Sequence, residues 1–131
     1  GGRTGMSVRL DLEEKAAAEL SPGQQHEVLL ILGEALANVA RHARAGSVTL
    51  AVRRTREGAI LAAVEDDGRG IERMVGGTGR FGLEIMRERA SRAGGELAIT
   101  DRPGGGTRLT LRIHPGQDAR PHGMETKGAP S

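Results

Sequence analysis

Five short stretches of the chain are apolar or alternate between apolar and polar residues, and two longer stretches repeat with a helical period. The first pattern predicts strands over 7–12, 47–54, 59–64, 96–100 and 107–113. The second predicts a long helix from Ser21 to about Arg44 and a shorter helix over 82–93. This order predicts an α+β fold, a two-layer α/β sandwich with helices on one face of a mixed, mostly antiparallel sheet.

The long helix has clear start and stop signals. Ser21 can cap its first turn, Pro22 suits the first helical position, and Gln24 completes a capping box. Gly46 is suited to ending it. Helical spacing places six apolar residues on one face: Leu29, Leu32, Leu36, Val39, Ala40 and Ala43. Four polar residues fall on the opposite stripe: Glu34, Asn38, Arg41 and His42.

The first strand and the second helix also have a predicted inward face. Alternation over 7–12 predicts that Val8, Leu10 and Leu12 point towards the core. In the second helix the predicted core face is Leu83, Met86, Ala90 and Ala93.

Composition narrows the function classes. The 131 residues suffice for one domain with a core. The one aromatic residue, Phe81, argues against stacking platforms for single-stranded nucleic acid, and the absence of cysteine excludes thiolate metal sites and thiol catalysis. The net charge is +2 and no basic tail is visible, so we expect no direct nucleic-acid partner. No signal peptide or membrane span is visible in the sequence. We predict an N-terminal extension over 1–6, a folded domain over 7–113 and a disordered tail over 114–131.

Two glycine-containing segments are candidates for ligand binding. Asp66 follows a predicted buried strand, where its carboxylate can accept a hydrogen bond from an exocyclic amine. Gly68 and Gly70 would let backbone approach a flat ligand closely, although an ordinary Asp/Gly turn has the same pattern. The segment 76–83 opens a helix, where free N–H groups and the helix dipole favour phosphate, although a flexible loop remains open.

A dinucleotide site is a further alternative. Gly77, Gly79 and Gly82 match G-x-G-x-x-G, and Asp101 lies where a ribose-binding acid would be. We reject this interpretation because no predicted buried strand runs straight into Gly77. It would also leave Glu34, Asn38 and Asp66 without a role.

Four segments in order resemble the ATP-binding domain of the histidine kinase, gyrase, Hsp90 and MutL superfamily, which has the Bergerat fold. Glu34-x-x-x-Asn38-x-x-Arg41-His42 resembles the asparagine box, and Asp66-Asp-Gly-Arg-Gly70 the first glycine box. Residues 79–83 resemble the second glycine box, and 105–107 the closing Gly-Thr element. The run 82–90 is most similar to bacterial sensor kinases paired with response regulators of the helix-turn-helix (NarL) type.

The resemblance implies a role for each matching residue. Asn38 would ligate Mg²⁺, Arg41 would contact phosphate and His42 would pack beside the nucleotide, although a helix-surface histidine without a ligand role stays open. Asp66 would bind the adenine amino group. Thr107 would support Asp66 in this contact. Gly68 and Gly70 would line the base pocket. Backbone near the phosphates would come from Gly79, Gly82 and Leu83. Glu34 is the candidate base, or the group that orients the acceptor or a water.

The chain departs from the family pattern in two places. The second glycine box has one extra residue between Gly79 and Gly82, and the short lid over 72–80 lacks a phenylalanine box. No phosphoacceptor helix pair precedes residue 7, so the chain resembles a catalytic domain cut from a longer sensor kinase.

The resemblance implies that the domain binds Mg·ATP and transfers the γ-phosphate to a histidine on a separate dimerisation domain, upstream of a response regulator. We expect an isolated monomer with little autophosphorylation, in the cytoplasm, with membrane anchoring of the parent left open. An anti-sigma-type serine kinase on the same fold and a non-catalytic nucleotide-binding module remain alternatives.

Overall fold

Eight helices and strands follow one another in this computed structural model, which describes residues 7–42, 46–68 and 79–118. They are β1 (Ser7–Leu12), α1 (Glu14–Ala18), α2 (Pro22–His42), β2 (Ser47–Arg54), β3 (Ile60–Asp66), α3 (Gly79–Arg92), β4 (Gly95–Asp101) and β5 (Thr107–Ile113). Every predicted element is present. β3 continues beyond its predicted end to include Asp66, and α3 begins earlier than predicted, at Gly79.

The five strands form one sheet in the order β1-β2-β3-β5-β4. β1 runs parallel to β2, and the other neighbours are antiparallel. The sheet is therefore mixed and mostly antiparallel, which confirms the predicted fold class. Within the described residues, no helix is both long and apolar enough to cross a bilayer.

α2 and α3 cover one face of the sheet and enclose the core. β3 and β5 alternate in burial, which shows that one face points to the helices and the other does not. The predicted core face of α3 is confirmed, because Leu83, Met86, Ala90 and Ala93 are all buried. On the outer face Glu65 forms ion pairs with Arg108 at 2.6 Å and Arg102 at 3.4 Å, so that face is polar.

The predicted inward face of β1 is correct in direction but wrong in burial. Val8, Leu10 and Leu12 share the helix-side face with their β2 partners, yet they remain 53%, 59% and 50% exposed. β1 is an edge strand, and the helices pack elsewhere, α2 on β3 and α3 on β4 at the opposite edge. Alternation in a sequence predicts which face a side chain takes, but not whether that face is covered.

The predicted core face of α2 is wrong by roughly a quarter turn of the helix. Leu29, predicted inside, is 69% exposed, and Asn38, predicted on the polar stripe, is buried. The buried stripe is Gln24, Val28, Ile31, Leu32, Ala35, Asn38 and Val39. Because the middle of α2 is apolar nearly all round, its hydrophobic pattern alone does not set its rotation.

A buried amide at the start of α2 fixes that rotation. Gln24 is fully buried, and its Oε1 accepts hydrogen bonds from the backbone N of Ser21 at 3.0 Å and of Gly116 at 2.9 Å. Its Nε2 donates to the carbonyl oxygens of Ala93 and His114, both at 2.8 Å. The Ser21 hydroxyl accepts from the Gln24 backbone N at 3.1 Å, so the predicted capping box is confirmed. The same amide also joins the end of α3 and the segment after β5.

The segment after β5 is therefore attached to the domain through its first residues. Besides its bonds to Gln24, it is held by the Ser21 hydroxyl, which donates to Asp118 Oδ2 at 3.1 Å. The His114 backbone N donates to the Gly94 carbonyl at 3.2 Å. Placing the start of a disordered tail at residue 114 is thus wrong for 114–118, and the rest of the predicted tail and the 1–6 extension lie outside the described residues.

We predict that Gln24→Met lowers the free energy of unfolding by about 3 kcal/mol or more, because it leaves several backbone groups without their buried partner. Methionine keeps the length and volume of glutamine, so loss of hydrogen bonding dominates over loss of packing. Urea denaturation followed by circular dichroism measures the change.

The matched control for this prediction is Gln25→Met on the neighbouring residue. Gln25 is exposed, and its Nε2 donates to the Leu20 carbonyl at 3.0 Å. This variant should lose less than about 1 kcal/mol. Equal losses in the two variants would contradict the role assigned to the buried amide.

Candidate functional site

A buried carboxylate lies at the end of β3. Asp66 is the last residue of the strand and is fully buried, and its Oδ1 accepts a hydrogen bond from the Gly68 backbone N at 3.0 Å. Thr107, the first residue of β5, is its register partner and is also buried. A carboxylate and a hydroxyl predicted to act together are thus on adjacent strands at the same end of the sheet.

The backbone of the β4–β5 turn packs against this carboxylate residue. A Cβ added to Gly106 would overlap the Asp66 carbonyl oxygen and crowd the Asp67 Cα. Gly106 also has φ of +103°, a conformation that residues with a side chain rarely adopt. Only glycine fits both conditions, so this turn fixes the position of Asp66 from the β5 side.

Asp67 supports the same region in a way that the sequence reasoning missed. Its Oδ1 accepts from the backbone N of Gly46 at 2.9 Å and of Ser47 at 3.1 Å, and its Oδ2 accepts from the Ser47 hydroxyl at 3.1 Å. The Ser47 backbone N–H, followed by the other hydrogen bonds, holds the pKa of the Asp67 carboxyl below its usual value. This stabilisation is present at neutral pH and is lost as the pH falls through the lowered pKa.

Asp67 therefore ties the chain that follows α2 to the end of β3. Two adjacent aspartates at a strand end point to opposite sides, since successive side chains alternate. That alternation is the sequence signal that could have separated Asp66, the binding candidate, from Asp67, the structural residue.

The asparagine-box residues lie in the second half of α2. Asn38 is buried, and its Nδ2 donates to the Glu34 carbonyl at 3.4 Å and to Glu34 Oε2 at 3.3 Å. Glu34 is itself exposed, one helical turn earlier. The amide nitrogen is thus turned to Glu34, and the amide oxygen points away from it.

The end of α2, which carries Asn38, lies near the end of β3, which carries Asp66. α2 packs on β3 and ends at His42, four residues before Gly46, which is a span of at most about 14 Å. The Gly46 backbone N in turn bonds to Asp67, the neighbour of Asp66. The end of α2 and the end of β3 are therefore near one another.

The glycines predicted to lie near phosphate are at the start of α3. Gly79 is its first residue, in the turn where N–H groups have no partner within the helix, and Gly82 follows three residues later. Leu83 follows and faces the core, where it is 7% exposed. A Cβ at Gly82 would meet open space.

Several predicted site residues lie wholly or partly outside the described residues. The backbone of Arg41 and His42 belongs to α2, but their side chains lie outside the described residues, as does all of Gly70. Gly77 of the alternative dinucleotide pattern also lies outside them. The described members of the predicted set are Glu34, Asn38, Asp66, Gly68, Gly79, Gly82, Leu83 and Thr107.

Comparison with known proteins identifies a family and several similar sensor proteins. Residues 23–117 match the family model described as histidine kinase-, DNA gyrase B-, and HSP90-like ATPase. The chain is 35% identical over 108 residues to the sensor protein NarQ homolog of Haemophilus influenzae, covering 82% of this chain and 18% of that protein. It is 33% identical over 109 residues to the nitrate/nitrite sensor protein NarQ of Escherichia coli, covering 83% and 19%. The chain thus spans about a fifth of the length of these relatives.

A solved structure shows the same similarity in three dimensions. The histidine kinase domain of the blue-light activated histidine kinase EL346 of Erythrobacter litoralis superposes with a TM-score of 0.67 at 27% identity. The match covers 88% of this chain and 54% of that one.

We predict that Gly106→Ala lowers the free energy of unfolding by at least about 2 kcal/mol, because the methyl group overlaps Asp66 backbone and the conformation is strained. Gly104→Ala is the matched control, since Gly104 also has positive φ but open space around it. It should lose only about 1 kcal/mol. Urea denaturation of both variants measures the difference, and indistinguishable losses would rule out the close approach as the cause.

Proposed function

Because this chain belongs to the family of histidine kinase-, DNA gyrase B- and HSP90-like ATPases, we propose that it binds Mg·ATP and transfers the γ-phosphate to a histidine on a separate dimerisation domain. The observation that supports the proposal is that Asp66 and Thr107 are buried register partners on neighbouring strands of a domain of this family. The family match covers the ATPase domain, and the acceptor is inferred from the sensor kinases among the relatives.

Adenine would bind at the strand end formed by Asp66 and Thr107. The exocyclic amine of adenine is a hydrogen-bond donor, and the carboxylate of Asp66 is an acceptor, as its hydrogen bond from the Gly68 backbone N shows. The base is flat, and Gly68 adds no side chain beside it. Burial of Asp66 makes the recognition selective, since a ligand group that is not a donor would meet a buried carboxylate there.

Magnesium would be held by Asn38 together with the phosphates. The residues fit this ion, because Mg²⁺ prefers hard oxygen ligands and usually takes one or two from the protein and the rest from phosphate and water. The Asn38 amide nitrogen is turned to Glu34, which directs the amide oxygen elsewhere. When bound, the ion neutralises phosphate charge and aligns the terminal phosphate.

The protein's own contribution to transfer would be positioning and charge. The free N–H groups of the first turn of α3, which begins at Gly79, and the positive end of the α3 dipole would face phosphate oxygens, and Gly82 would add no side chain beside them. Glu34 is exposed one turn from Asn38, and would orient the acceptor imidazole or take its proton. No covalent intermediate with the protein is needed for such a transfer.

The partners follow from this proposal. The acceptor histidine would come from the dimerisation domain of a longer sensor kinase, and the phosphate would pass to a response regulator. The isolated chain would bind nucleotide and label itself little. We place the domain in the cytoplasm, where ATP and response regulators are found.

We predict that Asp66→Asn weakens ATP binding by about 100-fold, because an amide turned to the adenine amine loses the charge-assisted acceptor. Isothermal titration calorimetry measures the affinity. Glu65→Gln is the matched control, since Glu65 points to the outer face and pairs with Arg108 at 2.6 Å. Near-normal ATP affinity in the Asp66 variant would overturn the assignment of the pocket.

We predict that Asn38→Ala removes the Mg²⁺ dependence of ATP binding, because the ion loses its protein ligand. Titrations of ATP with Mg²⁺ and with EDTA give the ratio of the two affinities, which should fall to near one in this variant. Gln25→Ala, which removes an exposed amide from the same helix, should keep the wild-type ratio. A dependence that survives in the Asn38 variant would count against the metal role.

Phosphate transfer is tested by incubating the chain with γ-labelled ATP and a purified dimerisation domain from a sensor kinase of this family. Label on that domain that is lost in acid and kept in alkali identifies phosphohistidine and supports the proposal. Acid-stable label would favour a serine kinase of the anti-sigma type, with a small acceptor protein. ATP binding without label on any acceptor would favour a non-catalytic module.

A further inference from the structure

β1 leaves an apolar surface exposed at the edge of the sheet. It pairs with β2 on one side only, and no other described residues pair with its outer side. Val8, Leu10 and Leu12 line the helix-side face of this edge and are each at least half exposed. Leu12 also borders an apolar groove with Leu29 of α2, which is 69% exposed. An exposed apolar edge strand is a template for pairing with another strand.

The backbone groups that face outwards can be identified. The Ser7 N donates to Gly46, and the Glu13 N donates to Val52, so odd-numbered residues of this segment point their N–H groups to β2. In a strand the direction alternates, which leaves the N–H and C=O groups of Val8, Leu10 and Leu12 pointing to the open edge. The residues with apolar side chains are thus also those with outward hydrogen-bonding groups.

The geometry points to a second copy of this chain as the occupant of that edge. Two β1 strands would run antiparallel about a two-fold axis at Leu10, which places Leu10 opposite Leu10 and Val8 opposite Leu12 of the second copy. The second of these pairs occurs twice by symmetry, which gives three pairs. Each pair has outward-pointing backbone groups on both strands, so it can exchange two hydrogen bonds. The five-stranded sheets of the two copies would then become one continuous sheet.

Charge selects this register over its neighbours. With Leu10 on the axis, Arg9 lies opposite Asp11 of the second copy on the outer face, twice by symmetry. A slip by two residues in one direction places Arg9 opposite Arg9 of the second copy. A slip by two residues in the other direction places Asp11 opposite Asp11. Opposite charges across strands are favourable and like charges are not. Registers displaced by an odd number of residues would set outward backbone against inward backbone.

The other edge of the sheet differs in a way that supports this choice. Arg87 of α3 donates to the Leu97 carbonyl of β4 at 3.1 Å, so a side chain of the domain covers a backbone acceptor there. β4 also has Glu96, Thr100 and Asp101 exposed. Charged and covered edges resist strand pairing. This association uses no nucleotide, so it stands or falls independently of the proposed kinase activity, and it revises the expectation of a monomer.

Analytical ultracentrifugation of the full chain, from about 1 µM to 1 mM, tests the association. The expected result is a rise from the 13.8 kDa monomer to twice that mass as concentration increases. Amide exchange measured by NMR over the same range should slow at Val8, Leu10 and Leu12 only, because the Arg9 and Asp11 amides already bond to β2. A monomer at every concentration, or a dimer without this alternating protection, would overturn the proposal.

Charge reversal tests the register. Arg9→Asp places a carboxylate opposite Asp11 of the second copy twice, and should weaken the dimer about tenfold or more. The double variant Arg9→Asp with Asp11→Arg restores opposite charges across the strands but breaks the Asp11–Arg53 ion pair of each chain, so it should recover part of the affinity lost in Arg9→Asp. If the double variant is no tighter than Arg9→Asp alone, the assigned register is wrong.

Leu10→Lys and Ile85→Lys form a matched pair for the apolar surface. Leu10→Lys brings two ammonium groups together at the axis and should abolish the dimer over the measured range. Ile85 of α3 is 51% exposed, and α3 packs on β4 at the opposite edge of the sheet. Ile85→Lys should leave the dimer affinity unchanged. An equal loss in both variants would contradict pairing through β1.

Discussion

The architecture depends on one buried side-chain amide whose hydrogen-bonding groups all find backbone partners. Gln24 joins the start of α2, the end of α3 and the segment after β5, three parts of the chain that are far apart in sequence. Such a group has one orientation in which it is satisfied, and every other orientation buries an unpaired polar atom. It therefore sets the rotation of α2, and with it the position of Asn38 at the other end of the helix.

The candidate site is built where strands end, and its precision comes from backbone contacts. Gly106 packs on the Asp66 carbonyl from one side, and Asp67 holds the chain entering β2 from the other. The adjacent aspartates thus divide two tasks, because alternation along a strand sends their side chains in different directions. Asp66 is buried beside its register partner Thr107, at the end of the sheet where the turn between β4 and β5 packs on it.

Local sequence signals predicted the elements well, and tertiary packing explains the failures. The capping box at Ser21 and Gln24 depends on neighbouring residues only, so it could be recognised. The rotation of α2 could not, because its apolar residues surround the helix and the deciding contacts come from residues 93–116. The burial of Leu10 depends on how far the helices extend over the sheet, which no property of 7–12 encodes. The structural role of Asp67 was not predicted, because an aspartate that holds a neighbouring segment and an aspartate in an ordinary turn have the same Asp-Gly sequence pattern.

The attachment of residues 114–118 has a practical consequence for domain engineering. A chain cut after β5, at Ile113, would look complete by strand content but would remove the His114 carbonyl and the Gly116 N–H from Gln24. Fusion junctions, epitope tags and chimeric sensor designs should therefore begin no earlier than residue 119. A foreign sequence attached before residue 119 would replace residues that hydrogen-bond to Gln24 and Ser21.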